Sequence, residues 1–243
     1  MTARLPSPPP GENELVWQSF DCRKDGFFVE VGANEPRTGS QTWFLEEQGW
    51  RGILVEPQAR LCQRLREARP SSAVFQVACG APGHPREMPF YIADAPSKSS
   101  LVKNLIEPGT NYTETEMVKL MTLDEVLREA GNPPVDFVSI DVEGTQMDVL
   151  RGFTLERHRP ALLLLEDHLQ NLRLHRYLKH EGYRVVKRTG LNNWYVPKHR
   201  PFYLTSTVER LRLWKKMWAN TPFRKLRFWL ERKRAGTAGL LWM

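Results

Sequence analysis

A chain of 243 residues, of which 41% are hydrophobic and 26% charged, can bury a core without disulfides or structural metals. Its three cysteines, Cys22, Cys62 and Cys79, are odd in number and far apart, which excludes a disulfide scaffold and a CxxC metal site. No apolar run approaches the ~18 residues of a membrane-spanning helix, and the N-terminus has no apolar signal segment. We therefore expect a cytoplasmic protein with reduced thiols.

The positive charge is concentrated near the C-terminus. Residues 206–234 contain ten Lys or Arg and two acids, a net of +8, whereas the whole chain carries +7. Because no charged residue follows this segment, residues 1–205 carry 7 − 8 = −1. A nearly neutral body without a basic stripe argues against nucleic acid as a partner. We predict three parts: a disordered proline-rich leader (1–12), a folded domain (13–205) and a basic, aromatic-rich helical tail (206–243).

Strand-like and helix-like segments alternate along the folded domain. Runs that are apolar throughout predict strands at 27–31, 52–55, 73–78, 136–140 and 161–165. Helical patterns predict helices at 13–20, 40–48, 60–68, 123–130, 145–151 and 169–179. Residues 80–112 are rich in loop-forming residues with one edge strand at 88–92, and 183–186 with 193–196 predict a terminal hairpin. Uniformly apolar strands between helices predict an α/β fold of the Rossmann-like kind, with a parallel sheet covered on both faces.

Helix boundaries are marked by capping residues. Thr122 followed by Glu125 forms a capping-box pattern, and Ser40 is the predicted N-cap of the helix that Gly49 ends.

Ligands of such sheets bind at the carboxyl ends of the strands. The first strand runs into Gly32 and Ala33, whose small side chains let the backbone approach a ligand. Glu56 follows the second strand about two dozen residues later, where an acid accepts hydrogen bonds from ribose hydroxyls in both NAD and S-adenosylmethionine (SAM) enzymes. Taken singly, the glycine could mark only a tight turn, and Glu56 could be a solvated carboxylate.

Four ordered motifs, together with the segments between them over about residues 27–195, resemble the FkbM family of SAM-dependent methyltransferases. They are FVEVGAN (28–34), GWRGILVEP (49–57), MTLDE (121–125) and VSIDVEG (138–144). The resemblance implies a class I methyltransferase fold with a terminal antiparallel strand. It also implies O-methylation of sugars, polyketides or other secondary metabolites. By the same resemblance, Glu30, Gly32 and Asn34 would line the methionine end of SAM, and Glu56 would hold its ribose. The predicted cofactor-binding residues are Glu30, Gly32, Ala33, Asn34, Glu56, Pro57 and Asp141.

The chain departs from the family pattern after Asn34. Pro36 stands where the family usually has glycine, and Glu35 precedes it. Proline is tolerated in the first turn of a helix, so the loop can still hold SAM. A carboxylate at this helix start would repel a pyrophosphate, which favours SAM over NAD.

Two acids, Asp141 and Glu143, follow the fourth strand and are predicted to be catalytic. In an extended segment, alternate side chains point the same way, so both carboxylates would face the sulfonium. They could stabilise the cation, orient a hydroxyl or hold a divalent metal, with Glu166 and Asp167 as further ligands. We expect no metal. Asp141 could alternatively bond only the amides of the next helix.

His168, just beyond the fifth strand, is the third predicted catalytic residue. A histidine with a pKa near ~6.5 could take the proton of an acceptor hydroxyl, although a surface histidine at a helix start is the alternative. Ser99 and Ser100 lie in a segment that resembles a serine-bearing family loop, and we predict that it closes over the substrate. The alternative is a flexible surface loop.

The predicted function is SAM-dependent O-methylation of a hydroxyl on a sugar, a glycan (including a lipid-linked one) or a secondary metabolite. One alternative is a non-catalytic nucleotide-binding scaffold that docks through its basic tail. A nucleic-acid methyltransferase is the other alternative. The motif of that class fails here because Asn132-Pro133-Pro134 precedes the fourth strand and Val135 replaces an aromatic residue.

The tail has the pattern of an amphipathic helix. Apolar residues recur at helical spacing at Val208, Leu211, Trp214, Met217 and Trp218, between arginines and lysines. The pattern resumes after Pro222 with Leu226, Phe228, Trp229 and Leu230. The apolar stripe could pack on the body, on a second copy of the chain, or on an anionic membrane at the inner face of the cell.

Overall fold

A computed structural model describes residues 11–103, 110–167 and 171–219, together with 222, 223, 226, 229 and 230. The predicted leader, apart from residues 11 and 12, lies outside the described residues. Among the described residues the strands are β1 (Phe27–Val31), β2 (Arg51–Val55), β3 (Ser72–Phe75), β4 (Ala78–Cys79), β5 (Glu87–Ala93), β6 (Tyr112–Met121), β7 (Phe137–Ile140), β8 (Leu162–Glu166), β9 (Tyr183–Thr189) and β10 (Asn192–Pro197). The α-helices are α1 (Glu12–Gln18), α2 (Trp43–Glu47), α3 (Ala59–Ala68), α4 (Leu123–Glu129), α5 (Gln146–Arg151), α6 (Leu155–His158), α7 (Leu172–His180) and α8 (Thr207–Trp214).

The main sheet has seven strands in the order β3-β2-β1-β7-β8-β10-β9. Strands β3, β2, β1, β7 and β8 are parallel, whereas β10 runs antiparallel to both β8 and β9. The chain moves from β1 to β2 on one side and later returns to β7 on the other, so the strand order reverses between β1 and β7. The predicted Rossmann-like α/β fold with a terminal antiparallel strand is confirmed.

Helices cover both faces of this sheet, which explains why its central strands are apolar throughout. On one face, Val29, Ile53 and Val138 pack with residues of α4, α5 and α7. On the other face, Phe28 and Leu54 pack with residues of α1, α2 and α3. Each central strand therefore contributes alternate side chains to two separate cores.

A smaller sheet, in the order β4-β6-β5, differs from the prediction. The predicted strand 73–78 ends at Phe75, and Ala78–Cys79 pairs instead with β6. The sequence predicted no strand at β6 because this segment, from Tyr112 to Met121, buries only Val118, Leu120 and Met121. The alternation of buried and exposed side chains is clear only toward the C-terminal end of β6, where β4 pairs with it.

The predicted cap is present at α4, whereas α2 begins later in the chain than predicted. At α4 the backbone N–H of Glu125 donates to Thr122 Oγ1 at 3.2 Å, and the Thr122 N–H donates to the Glu125 carboxylate at 2.7 Å. Helix α2 begins at Trp43 and not at Ser40, because the Ser40 hydroxyl accepts from the N–H groups of Thr42 and Trp43 at 3.2 and 3.1 Å. Gly49 follows the helix with a φ of +95°, as a helix-ending glycine should.

The tail segment begins with a capped helix. The Ser206 hydroxyl accepts from Glu209 N–H at the start of α8, and a π-helical turn, Lys215–Ala219, continues it. Among the described residues, none of the helices combines the length and the apolar character needed to cross a bilayer.

Candidate active site

A cavity of about 330 Å³ opens at the carboxyl ends of β1, β2, β7 and β8. This is the edge at which the strand order reverses, where ligands of open α/β sheets bind. Most of the residues predicted for the site line this cavity: Gly32, Ala33, Asn34, Glu56, Pro57, Ser99, Asp141, Glu143 and Glu166. Folding thus brings together residues that lie up to 134 positions apart, since Gly32 and Glu166 share one wall.

Gly32 joins the ends of three strands. Its N–H and that of Ala33 both donate to the Val55 carbonyl, at 2.9 and 3.1 Å. A Cβ at Gly32 would lie 1.8 Å from the backbone oxygen of Asp141, and its φ is +84°. Only glycine therefore allows β1 and β7 to end side by side at the cavity.

Asn34 carries an unused polar atom into the cavity wall. Its backbone has a φ of +48°, and its N–H donates to Glu56 Oε2 at 3.0 Å. Its side-chain Oδ1 is buried and has no hydrogen-bond partner among the residues that the structure describes. A buried polar atom in this state calls for a partner supplied by ligand or water.

Glu56 is a buried carboxylate in the wall of the cavity. It is 3% exposed, and its two oxygens accept from the N–H groups of Asn34 and Gln58 at 3.0 and 2.9 Å. Burial raises the pKa of Glu56 to about 7, against the lowering effect of these backbone hydrogen bonds. A contact between Glu56 and the ribose stays a prediction. Such a contact requires a carboxylate at the cavity, and Glu56 lies there.

Glu30 does not line the cavity, which corrects its predicted place at the methionine end of the cofactor. Its carboxylate accepts from Ser40 Oγ at 3.0 Å, from Gln41 N–H at 2.6 Å and from Thr42 Oγ1 at 2.6 Å. The same two hydroxyls accept from the buried guanidinium of Arg69, at 3.2 and 2.9 Å. Glu30 therefore holds the loop between β1 and α2 in place. Its effect on the cavity is indirect.

Three carboxylates, Asp141, Glu143 and Glu166, place ligand oxygens within 4.8 Å of one another. The prediction that Asp141 and Glu143 face the same way is correct, but its reason is wrong. Glu143 is left-handed, with a φ of +48°, and Gly144 follows at +103°, so a tight turn and not an extended segment brings the acids together.

The pKa of Asp141 is raised well above its usual value. Burial is the largest cause, and the charge and hydrogen bond of Glu166 add to it, followed by the charges of Glu143 and Glu30. The nearby charge of Glu166 therefore disfavours ionisation of Asp141, as expected for closely spaced buried carboxylates. Oxygen donors of this kind also suit a hard divalent cation.

Asp167 is not part of this cluster, which corrects its inclusion among the four candidate metal ligands. Its carboxylate accepts from Asn171 N–H at 2.9 and 2.7 Å and from Asn193 Nδ2 at 3.2 Å. It therefore fixes the start of α7 and the facing strand. His168, the predicted base, lies outside the described residues.

The serine-bearing loop forms another wall of the cavity. Ser99 and Ser100 are 8% and 4% exposed, which does not fit the alternative of a flexible surface loop. Ser99 Oγ accepts from Ala93 N–H at 3.0 Å, and Ser100 Oγ donates to the Glu143 carbonyl at 3.3 Å. The loop is therefore fastened to the turn that carries the catalytic candidate Glu143.

Sequence reasoning missed the apolar part of the cavity. Val77, Ala78, Cys79 and Phe90 line it next to Glu56. These residues come from the smaller sheet and the connection that leads to it, whose pairing the local pattern does not reveal. Burial raises the pKa of the Cys79 thiol to about 12, so this residue behaves as a small apolar side chain.

Comparison with known proteins gives the following matches. The family profile described as the methyltransferase FkbM domain matches residues 30–185. A search of curated proteins found no match. The chain is similar to a precorrin-6Y C5,15-methyltransferase from Geobacter metallireducens at 14% identity, covering 76% of this chain and 85% of that one with a TM-score of 0.41.

Two further solved structures are similar at the same TM-score. A methyltransferase-like protein from Silicibacter pomeroyi is 17% identical, with 88% of this chain and 96% of that one covered and a TM-score of 0.41. TrmK from M. capricolum, solved with S-adenosyl-homocysteine, is 8% identical over 89% of this chain and 94% of that one, with a TM-score of 0.41. The family assignment depends on the profile match, which covers more than half of the chain and contains the cavity residues Gly32 to Glu166. The chain belongs to the FkbM methyltransferase domain family.

Proposed function

We propose that this chain transfers the methyl group of SAM to a hydroxyl group, on a sugar or a related metabolite. The observation that carries the proposal is the composition of the cavity. Its lining combines a buried acid and apolar residues with three converging carboxylates. A ligand that is part nucleoside and part cation matches both groups of residues.

Each part of SAM has a chemical counterpart among the residues that line the cavity. Glu56 and the unpartnered Oδ1 of Asn34 offer acceptors for ribose hydroxyls or an amino group. Val77 and Phe90 offer an apolar surface for the base. The carboxylates of Asp141, Glu143 and Glu166 would balance the positive charges of the sulfonium and amino groups. A volume of about 330 Å³ is in the range of small-molecule and cofactor sites.

When bound, SAM supplies a methyl group already activated by its sulfonium. The main task of the protein is then to align an acceptor and exclude water. Because Asp141 is buried beside Glu166 and its pKa is raised, that pair would orient a hydroxyl by hydrogen bonds. Glu143 lies in a turn that a hydrogen bond from Ser100 fastens to the serine-bearing loop. Its carboxylate would act as the general base that takes the proton of the acceptor hydroxyl.

The substrate class is inferred from the family resemblance. A hydroxyl is a weak nucleophile at neutral pH, so a site that methylates it gains from a carboxylate within reach of the proton. The cluster of acids would also discriminate against phosphate-bearing acceptors by like-charge repulsion. Neutral sugars and hydroxylated metabolites are therefore the acceptors that we propose.

The first experiment tests the ligand. Thermal unfolding of the full chain should shift upward with SAM or S-adenosyl-homocysteine and stay unchanged with NAD. Stabilisation by NAD alone would replace the methyltransferase proposal with a dinucleotide enzyme. No shift with any of the three would favour a scaffold.

The second experiment tests the chemistry. Full chain and methyl-labelled SAM are incubated with a panel of free and lipid-linked sugars, and the labelled product is identified by mass spectrometry. On the acceptor found, Glu143→Gln should lose roughly 10²- to 10⁴-fold in kcat, the usual contribution of a general base. Asp141→Asn should also lose turnover, and His168→Ala should lose less.

The control is Glu129→Gln, which changes an exposed acid on α4 in the same way. It should retain full activity. Full activity in all three site variants would show that the reaction takes place elsewhere, and methylation of an amine or a carbon would correct the class of reaction.

A further inference from the structure

The helix α8 and the turn that follows it carry apolar side chains that the body covers only in part. Met217 is 2% exposed and lies in a groove that Val186 and Phe202 of the body also line. The other residues of the stripe remain exposed: Val208 at 56%, Leu211 at 65%, Trp214 at 62% and Trp218 at 47%. Trp214 and Trp218 also line this groove, so the packing of the tail on the body buries Met217, covers the two tryptophans in part and leaves Val208 and Leu211 exposed.

This helix is tied to the body in an orientation that leaves most of the stripe exposed. Near its start, Lys187 Nζ donates to the Leu204 carbonyl at 3.0 Å and to Glu209 Oε1 at 2.8 Å. At its end, the Trp218 ring packs edge-on against His175, with centroids 5.4 Å apart. Two attachments to β9 and α7 make a rotation of the exposed face onto the body unfavourable.

The charge around the stripe is strongly positive. Glu209 is the single acid of the segment 206–219, and the hydrogen bond from Lys187 is the main reason that its pKa falls to about 2. Its charge is thus balanced from the body. The cations of this segment, Arg210, Arg212, Lys215 and Lys216, alternate along the helix with the residues of the exposed stripe, and Arg210 also lines the groove.

The same combination continues beyond the helix. Exposed apolar side chains at the described positions are Phe223, Leu226, Trp229 and Leu230, at 74%, 55%, 38% and 44%. Over residues 206–234 the sequence has a net charge of +8. We name the exposed stripe of Val208, Leu211, Trp214 and Trp218 with its flanking cations the tail surface.

We propose that the tail surface docks on an anionic lipid bilayer. Aliphatic residues and tryptophans set among arginines and lysines suit the boundary between head groups and acyl chains. A second copy of the chain would present the same positive surface and be repelled by it. A nucleic acid would engage the cations but would leave Val208 and Leu211 in water.

Flotation of the full chain with vesicles tests this proposal. Vesicles of phosphatidylcholine and phosphatidylglycerol should carry the protein upward at low salt and release it at high salt, whereas vesicles of phosphatidylcholine alone should not. Arg212→Gln with Lys215→Gln should weaken partitioning roughly thirtyfold, at about 1 kcal/mol for each cation. Leu211→Gln with Trp214→Gln should weaken it roughly tenfold or more, because apolar burial is lost.

Met117→Gln is the matched control, since Met117 is 65% exposed on β6, away from the tail. It should float like the unchanged chain, and circular dichroism should show that all variants fold. Failure of the unchanged chain to float would overturn the proposal. Loss of flotation in the charge variant but not in the apolar variant would also overturn it, because that result indicates a polyanion site. A concentration-dependent dimer that Leu211→Gln with Trp214→Gln abolishes would overturn it as well.

Discussion

Glu30 and Glu56 differ in their surroundings although they are equally buried. Each is 3% exposed and lies in or directly after a central parallel strand. Glu30 is surrounded by donors from the loop after β1 and by the charge of Arg69. Glu56 faces the cavity and accepts from the backbone groups of Asn34 and Gln58 and from the Gln58 side chain.

The difference shows how one residue type serves two purposes. Burial raises the pKa of both carboxyl groups, but only Glu30 has a nearby cation and two hydroxyl donors that lower it again. A carboxylate that is satisfied by its own protein stabilises a loop. A carboxylate that keeps accepting capacity at a cavity can bind a ligand, at a cost in stability.

The largest expected effect is a loss of stability around Glu30, the acid whose hydrogen bonds are all made within the loop and with its neighbours. Arg69→Met removes the buried cation that is bonded to Ser40 and Thr42 and that forms an ion pair with Glu46. The free energy of unfolding should fall by about 3–5 kcal/mol, because buried carboxylates lose their partner. Urea unfolding measures this change.

Arg64→Met is the matched control for that prediction. Arg64 forms an ion pair with Glu35, but its side chain is 47% exposed. Its loss should cost less than about 1 kcal/mol. Equal losses in the two variants would mean that Glu30 and Arg69 do not form a stabilising network.

The next effect concerns the acid at the cavity. Glu56→Gln keeps the shape of the side chain but removes the charge that would accept from ribose hydroxyls. SAM affinity should fall by about 1–2 kcal/mol, roughly five- to thirtyfold, while the free energy of unfolding stays within about 1 kcal/mol. Calorimetric titration measures the SAM affinity. The control Glu129→Gln, on the exposed face of α4, should leave the SAM affinity and the free energy of unfolding unchanged. An unchanged SAM affinity would remove Glu56 from the binding site.

The smallest effect is a dependence of binding on pH. Because the pKa of Glu56 is raised to about 7, this carboxyl group is mostly protonated one pH unit below that value and mostly ionised one unit above it. SAM affinity should rise by roughly tenfold across this interval and then level off, since the ionised form is the better acceptor. The rise should be absent in Glu56→Gln; if it persists there, another group such as Asp141 controls it.

Stability should change in the opposite direction with pH. The folded state holds the Glu56 proton more tightly than the unfolded state, whose pKa is near the usual 4.5. The contribution of this group is therefore present in full below pH about 4.5 and is lost as pH rises through about 7.

Local sequence was sufficient where the structure depends on neighbouring residues. The central strands are apolar throughout because both faces are covered, and that pattern predicted the parallel sheet. The capping box at Thr122 involves residues three positions apart. The positions of Gly32 and Glu56 after their strands also follow from local pattern, since strand ends of a parallel sheet meet at one edge.

Tertiary packing decided what each side chain contacts. Glu30 and Glu56 look alike in sequence, and only the donors of the loop at Ser40 and Thr42 separate them. Similarly, Glu166 and Asp167 are adjacent, but alternate directions along the strand bring only the first to the cavity. The ten-residue strand β6 is recognisable only through its pairing with β4 and β5. Hydrophobic pattern thus determined the sheet, whereas hydrogen-bond partners distant in sequence decided which acids became structural and which remained available to a ligand.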